Sequence, residues 1–170
     1  MPIDIPNSMQ AELGLWNNGS GIDLQSWIGC VGNVDLAVGY TTIFWPAFEV
    51  VGDYLLVEGR SKEALEGFEK QPNSTPKGVE WVLNHLHMVD IHCDNEVGVT
   101  VEHCLKLGTT LQEIYSAKLA WQFPDRPCEV EFYIPDDRDD LVQYQISFWQ
   151  KKWDLVDTSK PPPESGPSGR

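Results

Sequence analysis

Two segments in the last third of the chain alternate between apolar and polar side chains. The apolar members are Cys128, Val130, Phe132 and Ile134 in 128–134, and Tyr144, Ile146 and Phe148 in 143–149. Alternation with a period of two predicts β-strands that bury one face and expose the other to water. Since only a short polar loop separates the segments, we predict an antiparallel hairpin. This pattern constrains the fold most, because helices then have one sheet face to cover.

A second hairpin is predicted over residues 47–58. Apolar runs lie on either side of Gly52-Asp53, and this dipeptide is a signal for a two-residue turn. The strands of the chain are therefore expected in two separate places.

Helices are predicted before and between the hairpins from capping residues and the spacing of apolar side chains. Their expected ranges are 8–17, 24–31, 34–45, 62–69, 76–93 and 100–123. Asp23, Ser61 and Thr75 are the predicted N-caps of the helices that follow them. The run 34–45 is almost wholly apolar, so a buried strand is an alternative there; we favour a helix that ends at Pro46.

The last predicted helix, 100–123, has two possible forms. Gly108 lies inside it, and Thr110–Glu113 has the pattern of a capping box that starts a helix afresh. One helix or two shorter ones both fit this pattern.

These elements predict an α+β fold in which helices pack on one face of a small antiparallel sheet. The length, 170 residues, is that of one ordinary domain, and we expect a single domain over 1–157. Residues 158–170 are rich in Pro, Ser and Gly, and we expect them to form a disordered tail.

The chain is strongly acidic. It has 26 Asp and Glu residues against 12 Lys and Arg, a net charge of −14 at pH 7. Such a field repels nucleic acid and anionic membranes and attracts cationic surfaces. The first 59 residues contain no base, but they are largely apolar and their seven acids are dispersed, so we expect them to form core.

The densest acidic region follows Asp125. Its predicted binding residues are Glu129, Glu131, Asp136, Asp137, Asp139 and Asp140. Four aspartates in five residues are a potential Ca²⁺ site, but the spacing differs from the EF-hand pattern and no glycine turns the loop. A solvated loop and a protein-binding loop are the remaining alternatives. We predict no metal ion or other cofactor.

Histidines are a second candidate group. In the predicted helix 76–93, His85 and His92 share a stripe but lie about 10 Å apart along the axis. Because a metal ion needs its ligands about 2 Å away, the two cannot share one without residues from elsewhere, such as His103. We expect these histidines to pack or to form hydrogen bonds.

Lys118 and Cys30 are two further candidates. Lys118 falls within the apolar arc of its helix, where a lysine is either a nucleophile or a packed stem whose ammonium reaches water or a carboxylate. We favour the packed stem. Cys30 stands near two glycines, and we expect a small buried residue rather than an exposed nucleophile.

Cysteine spacing and hydropathy predict a location. No two of the four cysteines have the C-x-x-C spacing, no apolar run approaches the ~20 residues of a membrane span, and the first residues do not resemble a secretory signal. We expect a cytoplasmic protein with reduced thiols.

Three functions remain open. The first is a non-enzymatic protein-binding module for a basic protein partner, such as an immunity- or antitoxin-like inhibitor of a nuclease. The second is a hydrolase whose site combines dispersed histidines and carboxylates. The third is a structural protein that associates with itself through exposed members of its seven tryptophans, most of which we expect in the core.

Overall fold

The computed structural model describes residues 5–92 and 98–155, and it confirms the α+β class. The predicted tail, 158–170, lies outside these residues. The helices are α1 (Asn7–Gly19), α2 (Leu24–Val31), α3 (Val34–Phe44), α4 (Lys62–Glu69), α5 (Pro76–Leu83) and α6 (Val101–Gln122). The strands are β1 (Phe48–Val51), β2 (Tyr54–Val57), β3 (Leu86–His87), β4 (Cys128–Tyr133) and β5 (Gln145–Gln150), and short 3₁₀ helices span Met88–His92, Leu141–Gln143 and Lys151–Leu155.

The helix starts follow the predicted caps. Asp23 Oδ1 accepts from Ser26 N at 2.8 Å, and Ser61 Oγ accepts from Ala64 N at 3.0 Å. These bonds satisfy backbone donors that the first turn of a helix leaves free. The same holds for α5, where Thr75 Oγ1 accepts from the backbone N–H of its third residue.

The strands form two antiparallel sheets. The hairpin β1–β2 turns at Gly52, whose positive φ of 61° suits glycine, and this confirms the hairpin predicted at 47–58. The second sheet has the order β3–β5–β4, so β5 is its central strand. The predicted strands 128–134 and 143–149 correspond to β4 and β5.

Helix α6 is one continuous helix and covers one face of the β3–β5–β4 sheet. Gln112 Nε2 donates to Val130 O at 2.9 Å, and the Tyr115 ring packs edge-on to Phe148. Gly108 is needed where the Phe132 ring meets the helix, since a Cβ at this position would overlap that ring. The glycine therefore marks a close contact between helix and strand.

Helix α5 ends ten residues before the predicted end, so the helix predicted over 76–93 is confirmed only as far as Leu83 and is wrong beyond it. Its last residue is Leu83, and the chain then pairs with β5, where Leu86 lies opposite Ile146. Met88 N continues this contact by donating to Tyr144 O at 2.8 Å. Backbone groups that would form hydrogen bonds within a longer helix are instead bonded in β3 and in the 3₁₀ turn that follows it. Cys93 lies outside the described residues.

Two side chains, Glu80 in α5 and Asn84 at its C-cap, connect the sheets. Glu80 is fully buried; its Oε1 accepts from Leu55 N at 2.8 Å, and its Oε2 accepts from Gln150 N at 2.6 Å. Asn84 Nδ2 donates to Leu55 O at 2.9 Å and to Phe148 O at 3.2 Å. Strand β2 and the end of β5 therefore bond to the same two side chains.

The buried surface of β5 differs from the sequence prediction. Ser147, expected on a face exposed to water, is buried, and Trp149 on the same side of the strand is buried too. Helix α5 covers this side, and Ser147 Oγ donates to Trp81 O at 2.6 Å. The expected exposed face exists only on β4, where Glu129 and Tyr133 are exposed.

The base-free N-terminal segment is only partly core. Leu13, Phe48 and Leu55 are buried, but no residue of α2 or α3 is. The favoured helix over 34–45 is thus confirmed, whereas its expected burial is wrong. Within the described residues, no helix is long and apolar enough to cross a membrane.

Replacing Glu80 by Gln is expected to lower the free energy of unfolding by about 1–3 kcal/mol. An amide nitrogen would face a backbone N–H where a carboxylate oxygen now accepts. Urea unfolding measures the change. The matched control is Glu66→Gln on the exposed face of α4, where only an i,i+4 pair with Lys70 is lost and about 0.5 kcal/mol or less is expected. Equal losses in both variants would contradict the bridging role.

Replacing Gly108 by Ala is expected to destabilise the protein by about 1–3 kcal/mol, because Phe132 has to move out of a packed position. The control is Gly67→Ala in α4, where a Cβ meets nothing within 4 Å. Since alanine favours helix over glycine, that variant is expected to gain about 0.5–1 kcal/mol. Thermal unfolding of both proteins distinguishes packing from helix propensity; a gain in both would show that Phe132 does not require glycine.

Candidate functional site

Strand β4 and the loop after it carry the six predicted binding residues, which we call the acidic surface: Glu129, Glu131, Asp136, Asp137, Asp139 and Asp140. Glu129 is ion-paired with Lys151, with 2.9 Å between Oε2 and Nζ. This hydrogen bond and the negative charge of Glu129 raise the pKa of Lys151. Glu131 is half-buried and accepts from Trp81 Nε1 at 3.0 Å. The strand part of the surface is therefore already partnered within the molecule.

The loop part has a fixed shape. Asp137 Oδ1 accepts from Asp139 N at 3.1 Å, and Asp137 O accepts from Asp140 N at 3.1 Å. Tyr144, which is fully buried, donates from its hydroxyl to Arg138 O at 3.0 Å. The first two bonds fix the turn within the loop, and the third attaches the middle of the loop to the core.

The loop aspartates differ in what their carboxylates do. Asp140 Oδ2 accepts from Gln143 Nε2 at 2.5 Å, and Asp137 stabilises the turn. Asp136 and Asp139 are exposed. None of the four belongs to an ion pair within residues 5–92 and 98–155. Their negative charge is therefore presented to solvent.

Apolar side chains lie next to these acids. Tyr133 and Ile134, at the end of β4, are 39% and 36% exposed, and Val142 after the loop is 56% exposed. Protein interfaces commonly have an apolar centre and a charged rim, and this arrangement has that composition. In the described part of the chain, no group of three or more His, Cys, Asp or Glu side chains is placed to hold a metal ion.

The histidines do not share one helical stripe, because α5 ends before His85. The rings of His85 and His87 contact each other edge-on, with centroids 5.1 Å apart. His92 is hydrogen-bonded to Tyr40 through Nε2. His103 lies in the first turn of α6 and forms part of its cap.

The Ser8 hydroxyl lies near His103, but the neutral histidine ring is in a tautomer that cannot accept the hydroxyl proton. The backbone N–H of Thr100 donates to His103 Nδ1 at 3.2 Å. The neutral ring therefore carries its proton on Nε2, which faces Ser8 Oγ at 3.3 Å. A general base accepts the nucleophile's proton on an unprotonated nitrogen. Because Nε2 already carries a proton, Ser8 and His103 are not arranged as a catalytic pair.

A cavity of about 410 Å³ lies between α1, α2, the 3₁₀ helix Met88–His92 and α6. Most of its lining is apolar, from Met9, Leu24, Met88 and similar residues; its polar side chains are His92, His103 and Lys106. No carboxylate of the described residues lines it. Two of the histidines considered for a hydrolase, His92 and His103, thus line the same cavity, whereas His85 does not line it.

Lys118 is a structural residue of the α3–β1 connection. Its side chain is buried, and its Nζ donates to Trp45 O at 3.2 Å and to Pro46 O. The ammonium also lies 4.7 Å from the centre of the Trp45 ring. Burial lowers the pKa of Lys118. The expected packed stem is present, and its ammonium bonds to two backbone carbonyls.

Tyr115 acts one turn earlier on the same helix. Its hydroxyl donates to Ile43 O at 2.9 Å, so α6 binds the end of α3 through both Tyr115 and Lys118. Burial raises the pKa of Tyr115 to about 12. The sequence pattern did not distinguish Tyr115 from its apolar neighbours and indicated only a core position. Cys30 is exposed, which corrects the expected burial.

The chain matched no protein-family model, no curated protein and no solved structure. Its site is therefore interpreted from its own geometry.

Replacing Tyr115 by Phe is expected to cost about 1 kcal/mol at pH 7, because Ile43 O loses its donor. The pKa of Tyr115 is higher in the folded state than in the unfolded state, so its contribution to stability is complete below pH 10, the ordinary pKa of tyrosine. This contribution is lost as the pH rises to about 12. The stability difference between wild type and Tyr115→Phe should therefore shrink over this range. Urea unfolding at several pH values measures it, with the exposed Tyr133→Phe as control. A difference that stays constant with pH would contradict the assignment.

Proposed function

We propose that the protein is a non-enzymatic binding module that engages a cationic surface on a basic protein partner. The observation that carries this proposal is the loop 136–140, which has a fixed shape and presents aspartates without ion pairs. A preorganised charged surface loses little entropy on binding. The exposed Tyr133 and Ile134 supply an apolar centre beside the charges.

The charge of the whole chain supports the same function. At −14, its field accelerates encounter with a positive surface, by 10-fold or more for strongly steered pairs. Nucleic acid is repelled by the same field. Nucleases have cationic surfaces because they bind phosphates, so an immunity-like inhibitor of a nuclease is the specific form we propose.

A cytoplasmic location belongs to this proposal. Cys30, Cys104 and Cys128 are free thiols, as expected in a reducing compartment.

The test measures binding of the full chain to a panel of purified basic nucleases at low and at high salt, together with inhibition of their activity. The informative variant is Asp136→Asn with Asp139→Asn, since these side chains are exposed and the backbone bonds of the loop stay intact. We expect roughly 10-fold slower association at low salt. The effect should diminish as salt screens the charges.

The control removes the same charge elsewhere. Glu58→Gln with Glu113→Gln also changes the net charge by two, at exposed positions outside the acidic surface. If this control weakens binding equally, total charge rather than the loop is responsible. If no basic protein binds at low salt, the proposed function is wrong.

A further inference from the structure

Helices α2 and α3 present an apolar surface to solvent, which we call the α2–α3 surface. Its members are Ile28 (56% exposed), Val31 (47%), Val34 (79%), Leu36 (51%) and Val38 (64%). The two helices follow each other with only two residues between them. Large exposed apolar surfaces of this kind mark interaction sites in soluble proteins.

The start of α3 is exposed on all sides. Val34 and Val38 lie one turn apart on the same stripe, while Leu36 points about 200° away from Val34. All three are at least half exposed. A helix that is apolar all round is normally buried against something. Helix α3 is bonded to the rest of the described chain in its second half, where Tyr40 bonds to His92 and the end of the helix binds Tyr115 and Lys118 of α6.

Two exposed tryptophans lie where α3 ends. Trp45 and Trp121 are 53% and 74% exposed, and their rings lie 6.4 Å apart. The expectation that most tryptophans are core residues is wrong, because among the described tryptophans only Trp149 is buried, at 7% exposure. Exposed tryptophans are enriched where proteins meet.

The charge distribution limits which kind of partner can cover the α2–α3 surface. Residues 24–45 contain one charged side chain, Asp35, and no Lys or Arg occurs before Arg60. A cationic partner finds almost no charge to pair with here. Helices that lie on membranes usually carry Lys and Arg on their polar face, and α2 and α3 have none.

A second copy of this chain is a partner that is neither cationic nor a membrane. It offers an identical apolar surface, which a two-fold axis makes self-complementary. Two molecules of charge −14 repel each other, so they associate best where each carries the least charge. We propose that the α2–α3 surface is the self-association interface of this protein. This inference is independent of the acidic surface.

The test is sedimentation of the full chain over a wide range of protein concentration, at low and high salt. We expect a concentration-dependent dimer that tightens as salt screens the repulsion between copies. Binding of a cationic protein by the acidic surface has the opposite salt dependence, so failure of one proposal is distinguishable from failure of the other.

The informative variant is Val34→Glu with Val38→Glu. Both side chains are exposed in the single chain, so the fold should persist, and circular dichroism and thermal unfolding check this. The new carboxylates would meet across the interface, and we expect the dissociation constant to rise at least about 10-fold. The control is Leu155→Glu, which is 82% exposed in the last 3₁₀ helix, outside both surfaces, and should leave the dimer unchanged.

Three outcomes would overturn the inference. The wild type is a monomer at every concentration and salt tested, or Leu155→Glu weakens the dimer as much as the double variant does. In the third outcome, the wild type floats with phosphatidylcholine vesicles and Val34→Glu/Val38→Glu abolishes this, which assigns the surface to lipid.

Discussion

The fold depends on a buried carboxylate that replaces strand pairing. Glu80 bonds the free backbone donors of Leu55 in one sheet and of Gln150 in the other. A charged group this deep is costly unless its oxygens are satisfied, and here each accepts a backbone N–H. Asn84 does the same for the carbonyls of both strands. The two sheets are thereby fixed relative to each other, and β4 with its acidic loop takes its position from β5.

Local signals in the sequence predicted most element starts, because a cap is formed by neighbours in the chain. Asp23, Ser61 and Thr75 all cap as expected. The end of α5 was not predictable in this way. It is set by pairing with β5, about sixty residues away along the chain, and periodicity does not report such partners. The burial of Ser147 was missed for the same reason, since α5 covers it.

The candidate site was predictable in residue type but not in geometry. The sequence located the acidic residues, and the exposure of Asp136 and Asp139 agrees with a surface role. It did not indicate that Tyr144 would anchor the loop through Arg138 O, or that Glu129 would be ion-paired. The spacing of the histidines was interpreted on a predicted helix that in the structure ends before His85. Their hydrogen-bond partners, Tyr40 and Thr100, were therefore not predicted.

Charge and apolar exposure are segregated along this chain, and this segregation has a physical consequence. The acidic loop follows β4, whereas the α2–α3 surface carries one charge and lies in the base-free segment. A contact made by the loop weakens as salt screens it, and a contact between like-charged copies strengthens. The two surfaces share no residue, so a dimer formed through α2 and α3 would use none of the acidic side chains. Self-association would then double the number of acidic surfaces that one assembly offers to a cationic partner.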